Sequence, residues 1–233
     1  MNLNIVALIP ARSGSKGIPD KNIKLYKGLP LFVHSINIAL ECKYINDVYI
    51  STDSEEYRNI AIEYGANTTP LRPLEISDDL SPDIDTFKFL IDTFENNGEK
   101  KPDIIIHLRP TYPNRDINVL NDTIEYFIKN MANYDSLRTV SPIKKTPYKM
   151  YHIDNNTLIP FIPSYKKFKE PYNQPRQQFP DTYLHNGCID ILKTNIIKYG
   201  LLSGKRILPY IMKEDDINDI DDLIDFELSE KKC

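Results

Sequence analysis

The sequence predicts an α/β fold, an open and mainly parallel sheet with helices on both faces. Three observations carry this. Apolar runs at 5–9 and 104–106 are continuous rather than alternating, as strands buried on both faces are. Segments with helical spacing lie between such runs. The two patterns alternate along the chain, which favours parallel strands joined by helical crossovers.

Element by element, Ile-Val-Ala-Leu-Ile at 5–9 is the first strand. Residues 31–40 read as a helix and 48–50 as a short strand. Asp53 and Glu56 resemble a capping pair, opening a helix that runs to Tyr64 and stops at Gly65. Ile84, Phe87, Leu90, Ile91 and Phe94 fall at helical spacing. Asp83 and Asp85 sit in the first turn of that helix, where its dipole favours acids. Residues 104–106 form another buried strand. Ile117, Leu120, Ile124 and Phe127 mark one face of a further helix. Residues 136–140 read as a strand, and 183–192 return to the sheet. Between them, 141–182 are rich in Pro, Lys and Tyr and lack a long helical period. That stretch is expected as an excursion within a single domain, 1–233, since connections of such length usually have a role.

Composition narrows the function classes. Hydrophobic residues make up 41% and charged residues 27%, ordinary for a globular protein. A net charge of −4 gives no global basic field, so no nucleic-acid partner is expected. The apolar runs are far shorter than a membrane span, so no membrane partner is expected either. The N-terminus lacks a basic leader region, which makes a cytoplasmic location the expectation. Cys42, Cys188 and Cys233 form no C-x-x-C pair, which argues against a zinc or disulfide framework.

The first strand leads into Pro10-Ala11-Arg12-Ser13-Gly14-Ser15-Lys16-Gly17 and then Asp20-Lys21-Asn22. Small residues let backbone N–H groups approach an anion, and Arg12, Lys16 and Lys21 neutralise it. The spacing is neither that of a P-loop nor that of the dinucleotide fingerprint. Arg12, Asp53 and Arg109 each follow a strand-like run, which gathers them at the carboxyl edge of the sheet. Near the C-terminus, 214–225 is strongly acidic. In an extended segment Asp219 and Asp221 share a face and suit a hard cation such as Mg²⁺. A solvated acidic start to the last helix is the other reading, and it is preferred for Asp215, Asp216 and Asp222.

The run I-P-A-R-S-G-S-K-G-I-P-D-K-N-I resembles the opening motif of the CMP-sialic acid synthetases, or acylneuraminate cytidylyltransferases. It is similar also to the CMP-Kdo, CMP-pseudaminic and CMP-legionaminic acid synthetases. Four further segments agree in order: Val48-Tyr-Ile-Ser-Thr-Asp53, Leu71-Arg72-Pro73, Pro175-Arg176-Gln177-Gln178 leading to Asn186-Gly187, and Asp219-Ile-Asp221 with Asp225-Phe226. The resemblance implies a Rossmann-like sheet of the nucleotide-diphospho-sugar transferase type, with 141–182 reaching across to a second subunit in a homodimer. It implies CTP as donor, a small anionic acceptor of the acidic 2-keto sugar type, and release of pyrophosphate. Ala11, Arg12, Ser13, Gly14, Ser15, Lys16, Lys21, Asn22, Arg72 and Ser81 would lie against the nucleotide. Arg176, Gln177 and Asn186 would lie toward the acceptor, and Asp219 and Asp221 would hold Mg²⁺. Arg12, Lys16, Lys21, Asp219 and Asp221 would then carry catalysis by direct in-line displacement, with no covalent enzyme intermediate.

One departure stands out. His107-Leu-Arg109-Pro-Thr-Tyr112-Pro113 occupies the place of the family's L-Q-P-T-S-P, so Arg109 replaces a glutamine. Arginine binds anions in bidentate fashion, which makes Arg109 a candidate for the acceptor. A phosphonate or sugar-phosphate acceptor is then an alternative, and a non-catalytic nucleotide-binding protein is a second. Arg109 would otherwise pair with Asp103 or Asp116 and brace the strand end.

Overall fold

The computed structural model describes residues 3–15, 17–213 and 219–231. Its elements in chain order begin with β1 (Ile5–Pro10), the short ribbon β2 (Leu25–Tyr26) and β3 (Leu29–Pro30), and α1 (Leu31–Glu41). There follow β4 (Asp47–Ser51), α2 (Glu55–Glu63), β5 (Asn67–Thr68), α3 (Asp83–Asn96), β6 (Ile104–His107) and α4 (Ile117–Asn130). The chain continues with β7 (Ser136–Ile143), β8 (Tyr151–Asp154), β9 (Thr157–Pro160), β10 (Thr182–Lys193), β11 (Ile207–Ile211) and α5 (Leu223–Lys231).

The chain divides into two compact units. The first comprises Met1–Thr139, Gly187–Tyr210 and Asn218–Cys233, and the second Val140–Asn186 with Ile211–Ile217, in each case over the described residues. Seven strands form one sheet in the order β11-β7-β10-β6-β1-β4-β5, of which β6, β1, β4 and β5 lie wholly in the first unit. β1 pairs in parallel with β4 and β6, and β4 pairs in parallel with β5. β10 enters antiparallel to β6. Val6, Ala7, Leu8 and Ile9 are all 0% exposed, so both faces of β1 are covered, as its unbroken apolar run requires. Val6, Leu8 and Ile105 pack under Phe87, Leu90 and Phe94 of α3, while α1 packs against β1 and β4.

The helix starts follow local chemistry. Ser54, not Asp53, caps α2: its Oγ accepts from Tyr57 N–H at 3.4 Å. This corrects the Asp53–Glu56 pair expected from sequence, because Asp53 is bound by the loop after β1. Asp116 caps α4 by accepting from Asn118 N–H at 2.7 Å. Asp83 and Asp85 lie in the first turn of α3, as their spacing predicts. Phe226 anchors α5, edge-on to Tyr26 with ring centroids 5.5 Å apart. Tyr26 Oη donates to Ser229 O at 2.7 Å.

The whole stretch 141–182 falls in the second unit, and it contains regular structure. β8 and β9 form a hairpin whose two-residue turn, Asn155-Asn156, has φ of 44° and 63°. Asparagine tolerates that left-handed region better than most side chains. Tyr148 stacks on Phe179 with centroids 4.3 Å apart, and Tyr165 packs edge-on to Tyr148 at 4.6 Å.

Candidate active site

The register of the first unit decides what meets at its carboxyl edge. Pro10 lies opposite Ser51, and Leu8 opposite His107. Arg12, Asp53 and Arg109 each follow their strand by two residues. They therefore emerge side by side, as the topology predicts.

Asp53 organises the loop. Its Oδ1 accepts from Ser13 N–H at 2.7 Å and its Oδ2 from Ser13 Oγ at 2.8 Å. Buried Ala11 donates its N–H to Ser51 O at 3.0 Å. Asn22, also buried, donates from Nδ2 to Arg12 O at 2.8 Å. The loop is thus pinned on both sides of Arg12, with Gly14 taking φ of 67°. Lys16, expected among the catalytic cations, lies outside the described residues.

A cleft of about 290 Å³ opens beside the loop. Arg12, Ser15, Lys21, Asn22, Arg72, Ser81, Arg109 and Thr111 line it. Arg72 is 5% exposed and is held by Ser77 Oγ and Thr86 Oγ1, each at 2.9 Å. Burial lowers its pKa, with the Asp53 carboxylate opposing. Burial also lowers the pKa of Lys21, while Asp221 and Asp219 pull it upward. Ser81 Oγ donates to Asp78 Oδ1 at 2.8 Å.

Lys21 links this cleft to the acidic segment. Its Nζ donates to Ile220 O at 2.9 Å, and Ile220 N–H donates to Thr111 O at 2.9 Å. The Ile220 side chain is 0% exposed and packs with Ile18, Tyr26, Leu31 and Phe226. Asp219 and Asp221 are therefore carried on either side of a residue fixed in the core. A Cβ at Gly17 would stand 2.9 Å from Asp221 O, so only glycine lets the loop approach so closely. At Gly187, whose φ is 70°, a Cβ would meet Asp219 Oδ2 at 3.4 Å and Arg109 Cδ at 3.9 Å.

Asp219 Oδ1 is buried and has no hydrogen-bond partner among the described residues. The Asp221 pKa is raised, first by burial and then by Asp219. An unsatisfied buried carboxylate oxygen next to a second carboxylate fits a hard divalent cation. No group of three or more His, Cys, Asp or Glu arranged for a metal occurs among the described residues. A magnesium ion completed by phosphate oxygens needs only one or two. Asp222 takes the helix role expected for it: its Oδ1 accepts from Asp225 N–H at 2.9 Å. Asp215 and Asp216 lie outside the described residues.

Arg109 has partners that sequence reasoning missed. Its Nη1 donates to Asp190 Oδ2 at 2.6 Å, and its Nη2 lies 3.4 Å from Asp83 Oδ2. Arg138 Nε holds the other Asp190 oxygen at 3.1 Å. Burial opposes the Arg109 charge, but Asp190 and Asp83 outweigh it and raise its pKa. The bracing partners expected from sequence are incorrect. Asp103 accepts from Asn4 N–H, and Asp116 caps α4. Arg12 likewise pairs with Asp79.

Arg176, Gln177 and Asn186 belong to the second unit. Arg176 and Gln177 are exposed and line a cavity of about 350 Å³ with Thr146 and Phe179. Asn186 is buried and donates from Nδ2 to Ser141 Oγ at 3.0 Å. A larger cavity of about 1070 Å³ lies in the first unit beside Leu3 and Pro102, at the amino ends of β1 and β6. Acids pair with two of its lysines, Lys101 with Glu95 and Lys100 with Asp103. In such sheets ligands bind at the opposite, carboxyl edge.

No helix among the described residues is long and apolar enough to cross a membrane. Comparison with known proteins finds relatives along nearly the whole chain. N-acylneuraminate cytidylyltransferase A of Danio rerio is 31% identical over 98% of this chain and 50% of its own length. The CMP-N,N'-diacetyllegionaminic acid synthase of Legionella pneumophila is 33% identical over 66% of this chain and 64% of its own length. The chain spans about half the length of the N-acylneuraminate cytidylyltransferases it matches. A solved CMP:2-keto-3-deoxy-manno-octonic acid synthetase complexed with CTP shares the fold. Its TM-score is 0.69 at 15% identity, covering 97% of both chains. The cytidylyltransferase family model matches residues 6–159, the stretch that carries the cationic loop, Arg72 and Arg109, and the chain belongs to that family.

Proposed function

We propose that this chain transfers CMP from CTP to the anomeric hydroxyl of an acidic 2-keto sugar, releasing pyrophosphate. The observation that carries the reading is the cleft itself. It sets Arg12, Lys21, Arg72 and Arg109 around one space, and two of its lining residues, Lys21 and Thr111, tie that space through Ile220 to the segment carrying Asp219 and Asp221. The relatives named for N-acylneuraminate, diacetyllegionaminic acid and 2-keto-3-deoxy-octonic acid support the acceptor class.

Nucleotidyl transfer requires a held triphosphate, a neutralised leaving group and an acceptor oxygen in line. Arg12 and Lys21 neutralise the phosphates, with Lys16 expected to join them. Ala11, Ser13, Gly14 and Ser15 bring backbone close to the nucleotide, and Asn22 fixes the loop that carries Arg12. Arg72 and Ser81 lie toward the base. Arg109 faces the acceptor, and Arg176, Gln177 and Asn186 are its further candidates.

Cytidylyltransferases of this type generally use a divalent metal. Asp219 and Asp221 would hold it as Mg²⁺. Once bound, it supplies phosphate neutralisation and a lowered pKa for the acceptor hydroxyl. A homodimer is part of the proposal. Ile153, Leu158 and Phe161 on and beside the β8–β9 hairpin are 74%, 62% and 62% exposed, apolar surface suited to a second copy. The test is pyrophosphate release over a panel of nucleoside triphosphates and 2-keto sugar acids with Mg²⁺. Turnover restricted to CTP with such an acid is expected. Turnover with another nucleotide, or with sugar phosphates alone, would reject the assignment.

A further inference from the structure

Two arginines of the cleft are met by carboxylates from one short segment. Asp79 pairs with Arg12, and Asp83 lies 3.4 Å from Arg109. The segment between them is a tight turn closed on itself. Asp78 Oδ1 accepts from Leu80 N–H at 2.8 Å and from Ser81 Oγ at 2.8 Å. Leu80 at its tip is 90% exposed, so no apolar packing holds the turn down.

The partners of Arg109 differ in kind. Asp190 is 9% exposed and binds at 2.6 Å, which is a structural pairing. Asp83 is 52% exposed and loosely placed. Asp190 is also shared with Arg138, so two cations divide one buried carboxylate. One positive charge remains, and Asp83 is the exposed group that matches it. The Arg12–Asp79 pair is likewise solvated, with side chains 31% and 25% exposed. Exposed pairs of this kind contribute little and are readily exchanged for a stronger anion.

We propose that Asp79 and Asp83 occupy the places of the two substrate anions. Asp79 stands where a donor phosphate engages Arg12, and Asp83 where the acceptor carboxylate engages Arg109. The turn 78–81 acts as a strap that gives up Arg12, and the exposed Asp83 side chain at the start of α3 gives up Arg109, when substrates enter. This rests on the cytidylyl-transfer reading and adds to it an assignment of each anion to one arginine.

The experiment crosses two probes with two isosteric variants of the full chain. Inorganic pyrophosphate with Mg²⁺ reports on Arg12, by calorimetric titration. Pyruvate, the smallest 2-keto acid, reports on Arg109, by NMR titration. Asp79→Asn should tighten pyrophosphate about three- to tenfold and leave pyruvate within about twofold, the scale of losing one exposed competing charge. Asp83→Asn should do the reverse. Pyrophosphate should also speed amide hydrogen exchange at 78–81 in the unaltered protein. Equal effects of both variants on both probes would show only a general change of field and overturn the assignment. Binding unaffected by either variant would overturn the strap while leaving the cleft reading intact. Failure of pyrophosphate to bind the unaltered protein or either variant would overturn the cleft reading and the strap together.

Discussion

Replacing Arg109 by glutamine, the residue that the family resemblance leads one to expect there, tests a cleft residue that meets two carboxylates, and the structure divides its effect in two. The first part is stability. Asp190 is 9% exposed and loses its 2.6 Å partner. Removing one partner of a buried pair costs about 3–5 kcal/mol when nothing else compensates. Here Arg138 still holds the second oxygen at 3.1 Å, and glutamine keeps an N–H donor. The expected loss is therefore about 2 kcal/mol, toward the value for a charged hydrogen bond. For a chain of this size that lowers Tm by roughly 4–8 °C. Asp190→Asn in the same background should recover part of the loss, since the buried charge goes with its partner.

The second part is recognition. If Arg109 grips the acceptor carboxylate, the variant should raise the acceptor KM by roughly 10- to 100-fold, about 1.4–2.8 kcal/mol. The CTP KM should stay within about threefold, because Arg12, Lys21 and Arg72 are untouched. The assays are a thermal melt and pyrophosphate release at saturating CTP. A fall in Tm with an unchanged acceptor KM would refute recognition and leave Arg109 as a brace for β6. No change in either would refute the pairing with Asp190 as well.

The remaining predictions address the cations, the acidic pair and a buried histidine. Arg12→Ala and Lys21→Ala should each slow turnover by about 100-fold or more, on the scale of a lost charge-stabilising donor of about 3 kcal/mol; near-normal rates in both would make the loop a surface turn. Asp219→Asn and Asp221→Asn should abolish metal-dependent turnover without unfolding, whereas Asp222→Asn should be mild because asparagine caps helices as well as aspartate does. Equal losses in all three would return the segment to a helix start, as read from activity and circular dichroism. Burial, with Arg109 beside it, lowers the His107 pKa to about 3. The unfolded chain takes up that proton near pH 6.5 and the folded chain only near 3, so stability falls as pH drops through this window. His107→Gln should flatten that acid limb in urea melts at a series of pH values, and an unchanged slope would reject the assignment.

The elements legible in the sequence were those whose burial is set by a local pattern. The run 5–9 is apolar without a break, and β1 is covered on both faces. Phe87, Leu90 and Phe94 recur at helical spacing, and they form the inner face of α3. Capping was less legible, because Asp53 and Ser54 are both good caps and only one can serve α2. The loop after β1 decided the matter by binding Asp53 through Ser13, 40 residues away in sequence. The β8–β9 hairpin was readable in principle. Asp154-Asn155-Asn156-Thr157 is a two-residue turn with asparagine at both left-handed positions. The density of Pro and Lys on either side of it masked the strands.

The site divides along the same physical line. A cationic loop directly after a strand is a local signal, and Arg12 and Lys21 do line the cleft. The partners of those cations are not local. Asp79 lies 67 residues from Arg12, and Asp190 lies 81 residues from Arg109. Asp190 reaches Arg109 because β10 runs antiparallel to β6 in a register that sets Asp190 opposite His107, two residues before the arginine. A register shift of one residue would turn Asp190 to the other face of the sheet. That register comes from the packing of whole strands, so no motif around either residue announces it. The pairing changes the chemistry read from the arginine alone. Unpaired, Arg109 suggests an open anion site strong enough for a phosphonate. Arg109 and Arg138 together carry one positive charge more than Asp190, and Asp83 faces it at 3.4 Å, so the group offers a ligand at most one net charge, which matches a single carboxylate better than a dianion.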